Sequence, residues 1–446
     1  MSTLLVKNAT VLVTMDAQRR EIAGGGLFAR DGVIEQVAAT SELPRTADDV
    51  VDLQGHVVIP GLVNGHHHLF QSLTRGVPAG QNSDLYGWLD ALQPIWLRVT
   101  PEALRASTRL GLAELALSGC TTAADHHYLH VNGCRLDDQM EAAHEIGLRF
   151  HALRGSVTEP DAAPAGMRET EAAVLADSQR LLETYHDPRR FALVRVGLAP
   201  GAIFGSSPRF FRATAELARA YGAHLHTHWA EAQGEVDFLR DVIRLSPEAF
   251  LESVGWVGDD VWMAHCIQLT PGEISLFGRA GIGVCHCPNS NARTGAGLAP
   301  VPRMLEAGVK VGLGVDGSAA NDAGHLLAEA RQALLFQRLV HGPTAFTARQ
   351  ALELATLGGA RILGRDDIGA LEPGRAADFA AWDLGAASFA GAADPVAALI
   401  FCHPVNARHV AVHGRWVVKD GQLATADLAN VIERHNAQSR AVLGQM

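Results

Sequence analysis

Lysine, cysteine and long apolar runs are all scarce in this 446-residue chain, and each shortage removes a class of protein. Only Lys7, Lys310 and Lys419 carry an ammonium group, so nearly all positive charge is arginine. With 37 basic against 48 acidic residues the formal charge is −11, which excludes the broad basic face that nucleic acid or an anionic membrane requires. Six cysteines (Cys120, Cys134, Cys266, Cys285, Cys287, Cys402) are too thinly spread for the disulfide framework of a small secreted domain. No stretch reaches the roughly 18 apolar residues that span a bilayer. The opening MSTLLVKNATVLVTMD lacks both a charged segment before its apolar run and a small-residue cleavage site. A reducing cytoplasm is the expected compartment.

What remains is a chain with 48% hydrophobic and 19% charged residues, the balance of a compact enzyme with a large core. Both ends are β-rich. LLVKNATVLVTM, GLFARDGVIEQVA and VVDLQGHVVIP alternate around turns at Asp31–Gly32 and Gln54–Gly55, and the texture returns in DFAAWDL and HVAVHGRWVVKDGQLA. This predicts a small β-sandwich domain built from both termini, residues 1–58 and 370–446. Between them, over residues 59–369, short apolar strands ending in polar residues alternate with helical stretches such as 103–119 and 207–222. Strand ends fall in VIPGLVNGHHH, TTAADHH, FHALRGS, VRVGLAP, AHLHTHWAE, VWMAHC, GVCHCPNSN and VKVGLGVDG. Eight of them predict an α/β fold of the (β/α)8 TIM-barrel type.

Barrel strands converge at their C-terminal ends, where polar residues gather here. His66 and His68, two apart on a strand, point into the mouth while His67 points away. His228 ends the fifth strand and Asp316 the eighth. A lone histidine at a strand end is ordinarily a capped or surface residue, but three imidazoles and a carboxylate in this order suit one Zn2+ per subunit with a position left for water. Such zinc lowers the pKa of bound water to about 7. Glu231, three residues after His228, leans over the set and hands a proton to a ring nitrogen. His265 polarises the tetrahedral centre, and Asp316 takes the proton of the attacking water. Gln71, Trp88, Tyr128 and Arg154 lie at or after the first three strand ends and are candidates for reading the substrate, with ordinary packing as the plain alternative. Cys285 and Cys287 share a face and are expected to pack against helices as inert thiols. One of His126 and His127 is expected to face the pocket, and Asn321 and Asp322 to cap the following helix.

PGLVNGHHH, HTHWAE, AHC, HCPNSN and VGLGVDGSAAND, in this order, resemble the amidohydrolase superfamily in its branch of purine, pterin and triazine deaminases and chlorohydrolases. The resemblance covers nearly the whole chain and implies zinc on His66, His68, His228 and Asp316, with Glu231 and His265 moving protons. LVNGHHHLFQSLTRG, SGCTTAADHHYLH and DGSAANDAGHLLAEARQALLFQRL look most like the 8-oxoguanine deaminases and their isocytosine- and isoxanthopterin-deaminating relatives. Three features depart: NSNARTGAGLAP is closer to triazine hydrolases, the 157–170 loop is short, and Trp229 replaces a usual Leu. Loops at the mouth set specificity, so these bear on which ring is bound. Dinuclear members place a carboxylated lysine at the end of the fourth strand; VGLAPGAIF has none, which favours one metal. Chlorohydrolases of the branch can lose the strand-eight aspartate, so retention of Asp316 and Glu231 favours an amine leaving group over chloride. A non-catalytic binding module would show broken ligand positions, and none is broken. The expected partner is a small heterocyclic substrate, and a homo-oligomer is a fold-level expectation.

Overall fold

The computed structural model describes residues 2–444. From the N-terminus run β1 (Thr3–Val13), β2 (Glu21–Arg30), β3 (Val33–Ala39), β4 (Asp49–Asp52) and β5 (His56–Pro60). Then follow β6 (Leu62–Asn64), β7 (Cys120–His127), β8 (Arg149–Ser156), β9 (Val194–Pro200), β10 (Leu225–Trp229), β11 (Val261–His265), β12 (Gly283–His286) and β13 (Lys310–Leu313). The last are β14 (Phe379–Asp383), β15 (His409–Val412), β16 (Arg415–Lys419) and β17 (Gln422–Leu423).

The first five and last four strands form one sheet, ordered β17-β16-β15-β14-β5-β1-β2-β3 with β4 also against β1. The two chain ends meet at β5, which lies parallel to β1 and antiparallel to β14. The sandwich anticipated from the sequence is thus a continuous sheet folded on itself. Its bend is in β1, where the register shifts between Val6 and Ala9 and Asn8 takes a φ of 60°. Before this bulge β1 pairs with β4, and after it with β5. Val33 bridges to Ala376, closing the far edge, and Leu4, Val6, Leu27, Val58, Phe379 and Ala411 share one core. The β2–β3 turn is Asp31–Gly32, with φ of 49° and 79°, the left-handed pair a two-residue hairpin requires.

Strands β6 to β13 are all parallel and close into a barrel. Val63, Ala124, Leu153, Ala199, Trp262 and Cys285 form one cluster although they sit on strands all around it, so this is the inside. Cys285 and Cys287 therefore fill the barrel interior, in a cluster with Ala360 and Ile362 of the helix Gly359–Ile362, and do not face the outer ring of helices. In parallel register Cys285 lies beside Ala264, two residues after the inward Trp262, and this pairing decides the face. Phe150, Val196, Leu225, Met263, Val284 and Val311 point outward into the main core. Several outer helices begin with a hydroxyl cap followed by proline: Thr100–Pro101, Ser207–Pro208, Ser246–Pro247 and Thr270–Pro271. The cap oxygen accepts a backbone N–H, and proline at the first helical position forfeits no hydrogen bond. Among the described residues no helix is long and apolar enough to cross a membrane.

At the start of β8, Arg149 ties the barrel to the terminal sheet. Its guanidinium grips Asp378 at 2.6 and 3.0 Å with both side chains essentially inaccessible, and Asp378 also accepts the backbone N–H of His413 at 2.7 Å. Removing one partner of a buried pair strands the other charge, which costs about 3–5 kcal/mol. Asp378→Ala is expected to lower the denaturant midpoint accordingly. A shift equivalent to less than about 1 kcal/mol, the worth of a surface pair, refutes this role.

Candidate active site

Three strand ends bring the four candidate donors together. His66 and His68 follow β6, His228 lies within β10 and Asp316 follows β13. Asp316 Oδ1 is 3.3 Å from His66 Nε2 and 3.5 Å from His68 Nε2, and His68 Nε2 is 3.1 Å from His228 Nε2. Burial drives His66 and His228 well below the usual imidazole range and lowers His68 against the pull of Asp316. Neutral imidazoles are what a cation needs as ligands. His66 Nε2 is buried with no hydrogen-bond partner. Such an orphaned nitrogen, aimed at a carboxylate and two further imidazoles, fits a divalent metal ion.

Beside this cluster stand Glu231 and His265, whose Nε2 is 3.6 Å from Glu231 Oε2 and 4.0 Å from Asp316 Oδ2. Burial raises the Glu231 carboxyl, with Asp316 adding to the effect and His265 opposing it. Burial also works against a charged His265, but Glu231 and Asp316 overcome it and raise the imidazole above its usual range. Asp316 goes the other way: burial is outweighed by His265 and His68, and it falls to about 2. Two carboxyls on one cavity are thus driven apart, one towards its acid form and one firmly ionised. The backbone here is strained. Ala230, His265, Cys266 and Asp316 adopt φ of 49°, 70°, 51° and 59°, a left-handed region costing non-glycine residues roughly 1 kcal/mol or more each. Of these four, His265 and Asp316 carry their side chains into the cavity at the mouth.

Supporting contacts that the sequence reading passed over hold these groups in place. His66 Nδ1 meets His226 Nε2 at 2.8 Å, and His226 Nδ1 donates to the Trp262 carbonyl at 3.0 Å. His68 Nδ1 donates to the His126 carbonyl at 2.7 Å, and His265 Nδ1 to Asn291 Oδ1 at 2.9 Å. His226 was readable, because HLHTH places 224, 226 and 228 on one face; Asn291 carried no such signal.

Gln71, Trp88 and Tyr128 line the cavity with His68, His228 and Asp316, as does His126, while His127 lies on the opposite face. Gln71 donates to the Tyr128 hydroxyl at 3.2 Å, and its buried Oε1 lacks a partner. Glycine at 317 makes room for it, since a Cβ there would sit 1.8 Å from that oxygen. Arg154 is a correction. Its guanidinium forks onto Glu169 at 2.7 and 3.0 Å and reaches Asp177 at 2.8 Å, outside the barrel. Arg154 pairs in register with His127, the outward neighbour of His126, so it faces the helices. Nor do Asn321 and Asp322 cap the next helix. Asn321 bonds the Val315 carbonyl and Glu329, and Asp322 takes the Gly76 N–H and Arg293.

Residues 57–417 match the model of the amidohydrolase family. The chain is 44% identical over 428 residues to the 8-oxoguanine deaminase of Pseudomonas aeruginosa, covering 94% of this chain and 95% of that protein. It is 37% identical to an isoxanthopterin deaminase of an unknown prokaryotic organism, covering 88% and 87%. The crystal structure of the Arthrobacter aurescens atrazine chlorohydrolase complexed with zinc superposes with a TM-score of 0.93 at 33% identity, over 98% of this chain and all of that one. The (β/α)8 barrel, the split terminal sheet and these similarities lead to one conclusion: the chain is a hydrolytic enzyme and belongs to the amidohydrolase family.

Proposed function

We propose that this enzyme is a zinc-dependent deaminase of an aromatic heterocycle carrying an N–C(NH2)=N unit beside a carbonyl. Its leading substrate is 8-oxoguanine, with isocytosine, guanine and isoxanthopterin as chemical relatives. One observation carries the reading: a raised Glu231 and an ionised Asp316 flank His265 at the edge of the His66–His68–His228–Asp316 cluster. The 44% identity to an 8-oxoguanine deaminase supports the choice of ring.

His66, His68, His228 and Asp316 would hold a single zinc, which when bound acidifies water to a pKa of about 7. Asp316 accepts a proton from the attacking water as its oxygen adds to the amino-bearing carbon. His265, fixed through Nδ1 by Asn291, points Nε2–H at the oxygen where negative charge grows. Glu231 delivers a proton to the adjacent ring nitrogen; Asp316 passes the proton it took from water to the amino group, the C–N bond breaks, ammonia leaves, and the hydroxyl proton returns to Glu231 as the carbonyl forms. Gln71 Oε1 and the Tyr128 hydroxyl face the ring edge.

A second reading, hydrolysis of a chlorotriazine, draws on the likeness to the atrazine chlorohydrolase. Retention of both Glu231 and Asp316 favours the amine, because chloride departs without a proton. The test is elemental analysis with ammonia and chloride release on 8-oxoguanine, isocytosine, guanine, isoxanthopterin, hydroxytriazines and a chlorotriazine. We expect about one zinc per chain, with ammonia released fastest from 8-oxoguanine at a kcat/KM above ~10^4 M−1 s−1. Chloride release without ammonia from any ring overturns the deaminase reading.

A further inference from the structure

Two cavities lie end to end at the barrel mouth. The inner one, about 90 Å³, contains His68, His228, Glu231, His265 and Asp316. The outer one, about 440 Å³, is lined by Tyr86, Asp90, Pro94 and Asp161 among others. Leu89, Gln93, Ala162 and Phe204 line both, so they form the joint between them. Leu89 and Gln93 come from the helix Leu85–Trp96, Ala162 from the segment after β8 and Phe204 from the segment after β9. Gln93 is buried at 8% exposure and its Nε2 donates to the Ala162 carbonyl at 3.5 Å, a bond that spans the joint.

We propose that this joint is a size-selecting neck, with Gln93 and Phe204 as specificity-determining residues that confine the enzyme to free ring bases. The inference rests on the proposed deamination. A purine whose C2 meets the His66–Asp316 cluster turns its opposite edge, N7–C8–N9, away from the metal and towards the neck. An N9 substituent has to pass between Phe204 and the Gln93–Ala162 bond. Beyond them the outer chamber is wide enough for a sugar. Its carboxylates, Asp90 and Asp161, accept hydrogen bonds from hydroxyls and repel phosphate, so opening the neck admits a nucleoside and not a nucleotide.

The experiment compares the wild type with Phe204→Ala, Phe204→Leu and Gln93→Ala on 8-oxoguanine, its 9-riboside and the 5′-monophosphate of that riboside. The readout is the ratio of kcat/KM for riboside over base, which is insensitive to a general loss of folded enzyme. We expect this ratio to rise by ~10-fold or more in Phe204→Ala, and in the same direction in Gln93→Ala. The monophosphate is expected to stay unreactive. An unchanged ratio in all three variants overturns the neck, as does a wild type that processes riboside and base equally. Equal gains for riboside and monophosphate overturn the role of Asp90 and Asp161. A wild type inert towards free 8-oxoguanine refutes the choice of substrate instead. The neck is then judged by the same ratio on a hydroxytriazine with and without a bulky N-alkyl group.

Discussion

Asp316→Asn is expected to retain most of its divalent metal and to lose turnover by ~10^2–10^4-fold, the usual range for removal of a general base. Asparagine keeps the shape of aspartate and still offers a carbonyl oxygen at the position that lies 3.3 Å from His66 Nε2 and 3.5 Å from His68 Nε2. That oxygen also accepts the Gly317 N–H at 2.7 Å, which fixes its direction without any charge. What disappears is the anion. Burial alone favours a protonated Asp316, but His265 and His68 hold it ionised with a pKa of about 2, so it accepts protons throughout the neutral range. An amide accepts none. The check pairs elemental analysis with single-turnover kinetics. Retained metal with near-normal turnover removes Asp316 from the proton transfer, and loss of metal with loss of activity reduces it to a ligand.

The convergence of His66, His68, His228 and Asp316 was legible because their spacing follows the strand period and the order of the strands. His66 and His68 sit two apart, the step that puts two strand side chains on one face, and the order of the eight strand ends located His228 and Asp316. Arg154 and Cys285 were misplaced for one shared reason. Which face an isolated strand residue occupies depends on the register with its neighbours, here Arg154 beside His127 and Cys285 beside Ala264, and a single sequence carries the period without the phase. Asn291 and the neck residues were out of reach for a different reason. They lie on a short helix, on the helix between β6 and β7, and on loops whose path no repeat dictates, and only tertiary packing brings Gln93 against Ala162. The fold of the terminal sheet lay in between. Turns and alternation announced its strands, whereas the bulge in β1 is marked only by Asn8, a single asparagine inside an otherwise continuous strand pattern.

Glu231→Gln separates the two leaving groups. Glu231 is 7% exposed, and burial with Asp316 nearby raises its carboxyl while His265 at 3.6 Å limits the rise. The acid form is the one that donates. As pH climbs through the raised pKa this form is lost, so the wild type is expected to show an alkaline limb in kcat/KM for amine substrates that lies above the ordinary carboxylate range. Glutamine preserves the shape and an N–H donor but has no proton to transfer. On 8-oxoguanine the variant is expected to lose ~10^2–10^4-fold in kcat/KM together with the Glu231 limb of the profile. On a chlorotriazine, should the wild type release chloride at all, the loss is expected to be far smaller, because chloride is expelled as a stable anion. Equal losses on both substrates, or an unchanged alkaline limb in the variant, mean that Glu231 orients the ring and does not protonate it.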